Sequence, residues 1–342
     1  MGDHQHLKFL LPDRSYQGIV RSELRKLAIT AGFSGHRLGE IELIIAELTS
    51  NLVKHAVKGG MVLARTINVA GGGIELIALD DGPGIVQPSK MMEDGQSTKR
   101  TLGQGLGAIR RLSDIFDIYS LIGWGTIVFS RSYVNRNHPV PSGVFEVNGI
   151  SVSKKDEIKC GDAWSLREDE KYLKIAMIDG LGHGALANIA AMTAVETARR
   201  FPSDSPVSEL RRMHESLKKT RGAVVTITHI DRKSRQLVYS GVGNIAMKVL
   251  SPGNIKGCFS YNGIVGHILP ASLNNHQLAW NELSDVLIMH SDGINGRWDL
   301  VKYPGILHRH GTIVATAIYK DYDRGSDDST VIIGKFTKPV NG

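Results

Sequence analysis

The chain has little cysteine and no long hydrophobic run. Its 342 residues include only two cysteines, Cys160 and Cys258, which are too few and too far apart for a disulfide framework or a tetrahedral zinc site. No apolar stretch approaches the roughly 20 residues that a membrane-spanning helix requires. We therefore expect two free thiols and no association with a membrane.

Signals for export, repeats and nucleic-acid binding are also missing. The first residues, MGDHQHLKFLLPDR, lack the basic segment, apolar core and small-residue cleavage site of a secretory signal, so we expect a cytoplasmic protein. The sequence has no repeat of fixed period and no low-complexity tract. Its net charge of +7 comes from scattered Lys and Arg residues without interleaved aromatic side chains. This distribution favours a solvated surface over a nucleic-acid partner.

Length and composition predict two globular domains. At about 100–200 residues per domain, a chain of 342 residues favours two. Its 42% hydrophobic and 22% charged residues are ordinary for globular domains. The hydrophobic pattern is interrupted most clearly at SYVNRNHPVPSG, residues 132–143. We place an N-terminal domain at residues 1–134, a linker at 135–142 and a C-terminal domain at 143–342.

Hydrophobic periodicity predicts helices and strands in both halves. In the first half, residues 6–11 predict a strand and residues 15–31 predict a helix. In the second half, residues 172–179 predict one of several strands and residues 185–201 predict a helix. The segment after residue 305 is expected to contain a further, late helix.

A polar stripe accompanies the amphipathic helix predicted at residues 38–57. Apolar residues recur there at spacings of three and four, which indicates one buried face. Glu47, Asn51 and His55 follow one another at i, i+4 and i+8 on a neighbouring face. A carboxylate and a carboxamide one turn apart can hold a metal ion and orient a nucleophile. A solvated polar stripe would give the same pattern.

Two glycine-rich turns follow this helix in the sequence. A strand predicted at residues 74–79 runs into DDGPG, where the carboxylate of Asp80 can accept a hydrogen bond from an exocyclic amine such as that of adenine. Gly84 allows a sharp turn and close approach of the backbone to a ligand. Three glycines then open a predicted helix: Gly103, Gly105 and Gly107. Backbone amides at a helix N-terminus favour phosphate.

These motifs occur in the order of a known family. The succession ELTSN, DDGPG, GQGLG and the strand pair IFDIYSLIG and GTIVFS resembles the GHKL-type (Bergerat) ATP-binding fold of bacterial sensor kinases and anti-sigma factors. Within that fold, GLGAIRRLSDIFDIYS is most similar to the stand-alone serine/threonine kinases of the stressosome switch, the RsbT type. The resemblance implies phosphorylation of a Ser or Thr on a small STAS-domain partner.

The resemblance assigns roles residue by residue. It implies that Glu47 is the general base for the incoming hydroxyl and that Asn51 holds Mg²⁺. It further implies a set of ATP-binding residues: Asp80 and Gly84 at adenine, Gly103, Gly105 and Gly107 at the phosphates, and Thr126 at the base end. Some relatives bind sigma factors or form homodimers, so both are further expectations.

Four aspartates distinguish the second half, and each lies at the end of a predicted strand or in a turn beside it: Asp162, Asp179, Asp292 and Asp327. An isolated Asp-Gly pair is usually only a turn. Carboxylates delivered by rigid strand ends can, however, share hard divalent cations. Two such ions about 4 Å apart can bind a phosphate ester and activate water.

The motifs DGLGHG, SDGI and DDST, in this order, resemble the metal-dependent serine/threonine phosphatases of the PPM family, in its bacterial SpoIIE branch. The stretch SGVGNIAMKV is further similar to RsbX-type phosphatases of the stressosome, which act on a phosphorylated STAS protein. The resemblance implies two ions, Mn²⁺ or Mg²⁺, with Asp179 bridging them as the catalytic ligand. The remaining ligands would be the Gly180 carbonyl and, directly or through water, Asp162, Asp292 and Asp327.

Two neighbouring residues receive less definite roles. Asp328 aligns with a position that is not a ligand. His183 is either a general acid or a residue that packs beside the metal loop.

The two resemblances together predict an α+β protein, in which an N-terminal Bergerat α/β sandwich precedes a PP2C-like α-β-β-α sandwich. The first hypothesis is a bifunctional switch that phosphorylates and dephosphorylates one STAS-domain protein. The alternative is an ATP-dependent module that binds a sigma factor or another regulator, fused to a phosphatase that alone is catalytic. A third reading, two degenerate scaffolds, is disfavoured because nearly all motif acids and glycines are retained.

Overall fold

The computed structural model describes residues 4–68, 71–88, 102–136, 144–200 and 205–336, with the backbone alone for residues 102–104. The chain forms two compact units that exchange segments. The N-terminal unit comprises His6–Pro141 and Asp299–Ala317, and the C-terminal unit comprises Met1–Gln5, Ser142–Trp298 and Ile318–Gly342. The domain bounds proposed from the sequence stay a prediction.

One antiparallel sheet organises the N-terminal unit. Its elements are β1 (Leu7–Leu11), a short 3-10 helix (Arg14–Tyr16), α1 (Gln17–Thr30), α2 (Gly35–His55), β2 (Gly60–Ile67), β3 (Gly73–Asp80), α3 (Leu102–Leu112), β4 (Ile115–Leu121) and β5 (Gly125–Tyr133). The strand order is β1-β2-β3-β5-β4. The segment from the second half contributes a 3-10 helix (Ile306–His308) and the start of α6 (Gly311–Tyr322).

The three helices of the first half cover one face of this sheet. Because side chains alternate along a strand, Val62, Ala64 and Leu76 face the helices, where they share a buried cluster with Ile44 and Leu48 of α2. The apolar spacing of three and four in the sequence therefore corresponds to the buried stripe of α2.

The other face of the sheet is buried as well. Leu63, Ile77 and Phe129 occupy the alternate positions and have no exposed surface. The ring of His310, from the segment Asp299–Ala317 of the same unit, stacks on Phe129 at 4.3 Å between centroids. The second half of the chain thus helps to complete the N-terminal unit.

Two facing sheets form the C-terminal unit. Its elements are β6 (Phe145–Val152), β7 (Asp162–Glu168), β8 (Tyr172–Gly180), α4 (Ala185–Arg200), α5 (Pro206–Leu217), β9 (Ala223–Asp231), β10 (Gln236–Val242), β11 (Ala246–Ser251), β12 (Asn254–Cys258), β13 (His276–Ala279), β14 (Val286–His290), β15 (Ser329–Phe336) and the end of α6. The sheet orders are β13-β10-β9-β8-β7 and β12-β11-β14-β15-β6.

Alternation along β8 separates two cores of this unit. Ile175 and Met177 belong to the buried cluster that also contains Met289 of the second sheet. Ala176 and Ile178 belong to the cluster that contains residues of α4 and α5. The result is a helical layer on one sheet and a second sheet against its other face.

Most of the predicted elements are confirmed. β1 and α1 correspond to residues 6–11 and 15–31, and α4 to residues 185–201. The late helix expected after residue 305 is α6. Both cysteines are free thiols, as expected. No helix in the described ranges is long and apolar enough to cross a membrane.

Five of the helices and strands were not predicted: β2, β7, α5, β12 and β13. The signals for α5 were present, because Pro206 occupies the first turn of the helix after Ser205. Leu210, Met213 and Leu217 also recur at spacings of three and four and are buried. β2 and β7 pair in antiparallel register with β3 and β8, the strands that follow them in the sequence.

A buried ionic cluster links three strands of the N-terminal sheet. Glu75 lies opposite Arg65 and Arg131 in register, and its carboxylate accepts hydrogen bonds from both at 2.8 and 2.6 Å. His6 Nε2 lies 2.9 Å from Glu75 Oε1. Burial opposes ionisation of Glu75, but the two guanidinium groups hold its pKa well below the usual range. Burial also lowers the pKa of His6.

We predict that this cluster makes the protein sensitive to acid. Both groups have lower pKa values in the folded than in the unfolded state, so the unfolded chain binds more protons and stability falls as the pH drops below about 6.5 for His6 and 4.5 for Glu75. The free energy of unfolding, measured with urea, should fall between pH 7 and pH 5 in wild type. In His6→Asn this fall should be smaller by about 1 kcal/mol. Equal decreases in both proteins would contradict the prediction.

Candidate active sites

Helices α2 and α3 bring together three predicted residues of the N-terminal unit. Glu47 and Asn51 lie one turn apart on α2. A methyl group at Gly105 of α3 would lie 2.5 Å from Glu47 Oε2 and 3.8 Å from Asn51 Oδ1. Glycine at this position therefore allows the backbone of α3 to approach the two polar side chains. A ligand at the start of α3 would meet both a carboxylate and an amide.

The other two glycines of this motif lie on the same helix. Gly103 and Gly107 fall in the first two turns of α3, which begins at Leu102. The polar stretch that precedes them in the sequence lies mostly outside the described residues. Their assignment to ATP phosphates therefore stays a prediction.

The end of β3 forms the second part of this site. Asp80 is the last residue of β3 and lies opposite Thr126 of β5 in register. Its Oδ1 accepts a hydrogen bond of 2.7 Å from the backbone N–H of Gly82. This bond orients the carboxylate within the turn. Burial and Lys54 lower the pKa of His55, the last residue of α2, while Asp80 opposes them.

The turn after Asp80 is fastened to the β4–β5 hairpin. Gly84 has φ +78°, and a methyl group there would overlap the carbonyl of Leu121. The N–H of Gly123 donates to the Pro83 carbonyl at 2.9 Å. Glycine is thus required at position 84 both for backbone conformation and for space. The sequence predicted the sharp turn at Gly84 but not the overlap with Leu121.

A hydroxyl pair supports the same hairpin. Thr126 Oγ1 and Ser120 Oγ lie 2.8 Å apart, and Ser120 Oγ also accepts from the backbone N–H of Ile85 at 2.8 Å. Thr126 is buried at the base of the turn. Sequence reasoning selected Thr126 but missed Ser120, which joins it to the turn. A serine at the penultimate position of a strand carries no specific signal in a single sequence.

In the C-terminal unit, two of the predicted ligands face each other directly. Asp162 begins β7 and lies opposite Asp179 near the end of β8. Ser291, after β14, donates from Oγ to Asp162 Oδ2 at 2.7 Å and accepts from the Thr330 N–H at 3.0 Å. The serine therefore links the first sheet to the second at the position of the acids.

Five carboxylates interact at this end of the sheets. Burial raises the pKa of Asp162 to about 7, against the hydrogen bond from Ser291. Burial raises the pKa of Asp179 well above its usual value, and repulsion from four other acids adds to the rise: Asp162, Asp292, Asp327 and Asp328. Three of the sequence-predicted aspartates therefore lie within electrostatic range of the fourth, Asp179, and so does Asp328.

Polar neighbours hold these acids in place. Asp292 Oδ2 accepts from Asn244 Nδ2 at 2.9 Å. Asp328, predicted not to be a ligand, is almost fully buried and accepts from the N–H groups of Lys154 and Gly161 at 2.7 and 2.8 Å. Its carboxylate thus connects the loop before Asp162 to the start of β15.

The loop after Asp179 is tightly packed. A methyl group at Gly180 would overlap the backbone of Ala187 in α4, so this position also requires glycine. His183 Nδ1 lies 2.6 Å from Glu157 Oε1. This contact supports the packing interpretation of His183, since the imidazole has a carboxylate partner in the neighbouring loop.

One cation near this loop was not recognised in the sequence. The N–H of Leu181 donates to the Gly222 carbonyl, which extends the β8–β9 ladder past Asp179. Arg221 comes next and places Nη1 only 3.0 Å from where a Cβ of Gly182 would lie. The Arg221 side chain is exposed. A single Arg-Gly pair gives no functional signal in the sequence.

The donor set fits hard divalent cations. Oxygen ligands are those that Mg²⁺ and Mn²⁺ prefer, and mutual repulsion among the carboxylates would be relieved by positive charge. Across the described ranges, no three acidic, His or Cys side chains already converge as a preformed metal cage. Asp162, Asp179, Asp292 and Asp327 are the residues that would hold the ions.

Comparisons with known families match both units. Residues 12–128 match the histidine kinase-like ATPase domain, and residues 169–303 match the stage II sporulation protein E (SpoIIE) family. The serine/threonine-protein kinase RsbT of Bacillus subtilis (strain 168) is 38% identical over 102 residues, which cover 30% of this chain and 77% of RsbT. The phosphoserine phosphatase RsbX of the same organism is 29% identical over 164 residues, covering 47% of this chain and 78% of RsbX.

Solved structures agree with the second match. One chain, from work on the bacterial stressosome as a modular system adapted to control secondary messenger signalling, is 30% identical with a TM-score of 0.53, covering 56% of this chain and 100% of its own. RsbX in complex with magnesium is 23% identical with a TM-score of 0.50, covering 58% and 98%, and shows the shared fold. The predicted α+β architecture, a GHKL-like unit followed by a PP2C-like unit, is confirmed.

We predict that Gly84→Ala abolishes nucleotide binding. The substitution should cost about 1–3 kcal/mol in the free energy of unfolding because it combines a strained φ with overlap at Leu121. Gly123→Ala is the matched control, because Gly123 has φ +76° but open space around its missing Cβ. The control should cost about 1–2 kcal/mol and retain nucleotide affinity. Titration with a fluorescent ATP analogue distinguishes the two, and equal affinities would contradict the assignment of Gly84.

We also predict that Asp179→Asn stabilises the protein when divalent cations are removed. A carboxyl group whose pKa is higher in the folded than in the unfolded chain stabilises the fold fully only below the unfolded pKa of 3.8. This stabilisation is lost as the pH rises through the folded pKa, which is about 7 for Asp162. In EDTA at pH 8, Asp179→Asn should raise the free energy of unfolding by roughly 1–3 kcal/mol.

The matched control for this measurement is Asp231→Asn, at the opposite end of the same sheet, where backbone hydrogen bonds lower the pKa of the carboxyl group. This control should not gain stability at pH 8. A loss of stability for Asp179→Asn in EDTA would mean that the carboxylates do not repel one another in the folded protein.

Proposed function

The chain belongs to the histidine kinase-like ATPases of the RsbT type in its N-terminal unit and to the SpoIIE-type PP2C phosphatases in its C-terminal unit, and we propose that it adds and removes phosphate on one STAS-domain protein. The observation that carries this proposal is the presence of both sites in one chain. Opposed activities in one chain suit a regulatory switch better than a metabolic enzyme.

The proposed kinase reaction uses the residues around α2 and α3. Glu47 accepts the proton of a Ser or Thr hydroxyl while the hydroxyl oxygen bonds to the γ-phosphorus of ATP and ADP leaves. Asn51 would hold Mg²⁺, and Asp80 would accept a hydrogen bond from the adenine amine. The proximity of Gly105 to Glu47 and Asn51 supports these roles.

The proposed phosphatase reaction uses the aspartate cluster. Bound Mg²⁺ or Mn²⁺, two ions by the family resemblance, would supply Lewis-acid stabilisation and lower the pKa of water. Asp162 and Asp179 would hold the ions, with Ser291 fixing the orientation of Asp162. The Arg221 guanidinium could bind the phosphate oxygens of the substrate, because it lies beside the loop that follows Asp179.

A STAS-domain protein is proposed as the shared substrate because both relatives belong to the same regulatory system. The match to a stressosome structure supports the same class of partner. A sigma factor or another downstream regulator would then respond to the phosphorylation state of the STAS protein.

The test is a phosphotransfer assay with radiolabelled ATP and the STAS-domain protein encoded nearest to this gene. Wild type should give transient label on the STAS protein, Glu47→Ala should give none, and Asp179→Asn should accumulate label because removal is blocked. Two controls should behave as wild type: Glu42→Ala, at a half-buried glutamate on the same helix, and Asp231→Asn.

Two results would overturn parts of the proposal. No label with any variant, despite measurable ATP binding, would assign the N-terminal unit to the ATP-dependent binding modules and leave the phosphatase as the sole enzyme. Label that appears with wild type but does not accumulate with Asp179→Asn would separate the phosphatase from this substrate.

A further inference from the structure

A segment of the phosphatase sequence is part of the ATPase unit. We call this segment, Asp299–Ala317, the strap. In sequence the strap lies between two proposed metal ligands, Asp292 and Asp327. Its ends connect by the chain to the C-terminal unit, while its body belongs to the compact unit that contains the ATP site.

Polar contacts fasten the strap to strand β4. Tyr119 donates its hydroxyl hydrogen to the Pro304 carbonyl at 3.1 Å. Asp117 Oδ2 accepts from the backbone N–H of His310 at 2.7 Å, and Arg309 lies 3.3 Å from Asp117 Oδ1. Asp117 and Tyr119 are two residues apart on β4, so their side chains point to the same side of the strand. Together they hold the strap at Pro304 and at residues 309–310.

Aromatic contacts fasten the strap to the turn of the same hairpin. The ring of Tyr303 meets the ring of Trp124 edge to face at 5.3 Å, and Trp124 meets Tyr119 at 5.9 Å. Tyr303 is almost fully buried. His310 stacks on Phe129 of β5. The strap therefore covers both strands of the hairpin and its turn.

This hairpin also forms one side of the proposed adenine site. In its turn, the N–H of Gly123 donates to the Pro83 carbonyl, and the backbone of Leu121 lies against Gly84. Ser120 and Thr126 hold the same backbone from within the hairpin. A nucleotide that orders residues 83–85 would thus act directly on the strands that carry the strap.

The segments that flank the strap, residues 286–298 and 318–330, are called its roots. Hydrogen bonds join the two roots beside the proposed metal ligands. The N–H of Arg324 donates to the Gly293 carbonyl at 2.9 Å, and the N–H of Asn295 donates to the Tyr322 carbonyl at 2.8 Å. Gly293 follows Asp292 directly, and Arg324 precedes Asp327 by three residues. Helix α6 leads from the strap to Tyr322, and a helix transmits displacement as a rigid element.

From this arrangement we propose that the strap couples the two active sites, so that nucleotide binding changes how Asp292 and Asp327 are positioned for phosphatase catalysis. The inference rests on the proposed function, since it requires a nucleotide in the N-terminal unit and metal-dependent hydrolysis in the C-terminal unit. By thermodynamic reciprocity, any such effect on metal binding implies an equal effect of the metal on nucleotide binding.

A second segment exchange supports the same coupling. Gln5 belongs to the C-terminal unit, where its Nε2 donates to the Ile158 carbonyl at 2.8 Å and its Oε1 accepts from the Cys160 N–H at 3.3 Å. Asp162 follows two residues after Cys160. The next residue after Gln5 is His6, which belongs to the ionic cluster of the N-terminal sheet. Each unit thus holds a segment of chain that continues directly into the other unit.

The test measures two properties of the full chain with and without ADP, at a constant free Mg²⁺ concentration. The first is kcat/KM for p-nitrophenyl phosphate, which requires no protein substrate. The second is hydrogen exchange in residues 286–298 and 318–330, which reports on the strap roots independently of activity. In wild type, ADP should change kcat/KM by about fivefold or more and should change exchange in both segments.

Variants of the strap contacts should remove this response. Asp117→Ala, which deletes the acceptor for His310 and Arg309, should bind ADP as wild type does and retain phosphatase activity that no longer responds to ADP. Arg309→Ala is a milder variant, with Arg136→Ala as its matched control, because the two side chains are 44% and 45% exposed and each pairs with one carboxylate. Arg309→Ala should weaken the response, and Arg136→Ala should leave it intact.

The outcomes distinguish this inference from the proposed function. If ADP binds to wild type but changes neither hydrolysis nor exchange, the coupling is wrong while the proposed function stands. If ADP does not bind, both are overturned. A response of equal size in Asp117→Ala and wild type would show that the strap does not carry the coupling.

Discussion

Repulsion between buried carboxylates is the constraint around which the C-terminal unit is built. The antiparallel register of β7 and β8 sets Asp162 directly against Asp179, and burial raises the pKa values of both. A fold optimised only for stability would avoid this arrangement, because uncompensated buried charge is costly. Ser291 and the backbone amides that hold Asp328 partly offset the cost and fix the acids at the ends of two sheets. The strain is understandable if the acids bind divalent cations, since the cations would replace repulsion by attraction.

In the N-terminal unit the constraint is instead the close approach of the backbone to neighbouring protein atoms. Gly84 and Gly105 leave space where any side chain would meet Leu121 or Glu47. Any side chain at either position would therefore disturb the proposed nucleotide site. The candidate site of the C-terminal unit thus depends on concentrated negative charge, and that of the N-terminal unit depends on glycines without side chains. The aspartates and glycines of both sites lie on or beside strand ends and helices, where small displacements have large effects on geometry.

Much of this organisation could be predicted from one sequence. The glycine and aspartate motifs indicated both sites. Asp162 and Asp179 lie at strand ends, and Asp292 and Asp327 lie in the turns beside strands, as expected. The supporting residues could not be predicted in the same way. Ser291 and Ser120 act through hydrogen bonds to partners far away in the sequence or across a turn, and a lone serine has no periodicity or motif to mark it. Arg221 was missed because its position beside Gly182 follows from the pairing of β8 with β9.

The sequence by itself determined the local order of the chain: where most helices and strands form, which positions need glycine, and which side chains can accept protons or bind cations. These properties depend on residue type and on spacing over a few positions. Only the tertiary structure decided that Asp299–Ala317 belongs to the ATPase unit and that its roots join beside Asp292 and Asp327. The physical reason is that such assignments depend on which surfaces bury one another, as His310 and Phe129 do. Burial between residues separated by nearly two hundred positions leaves no pattern in the local sequence.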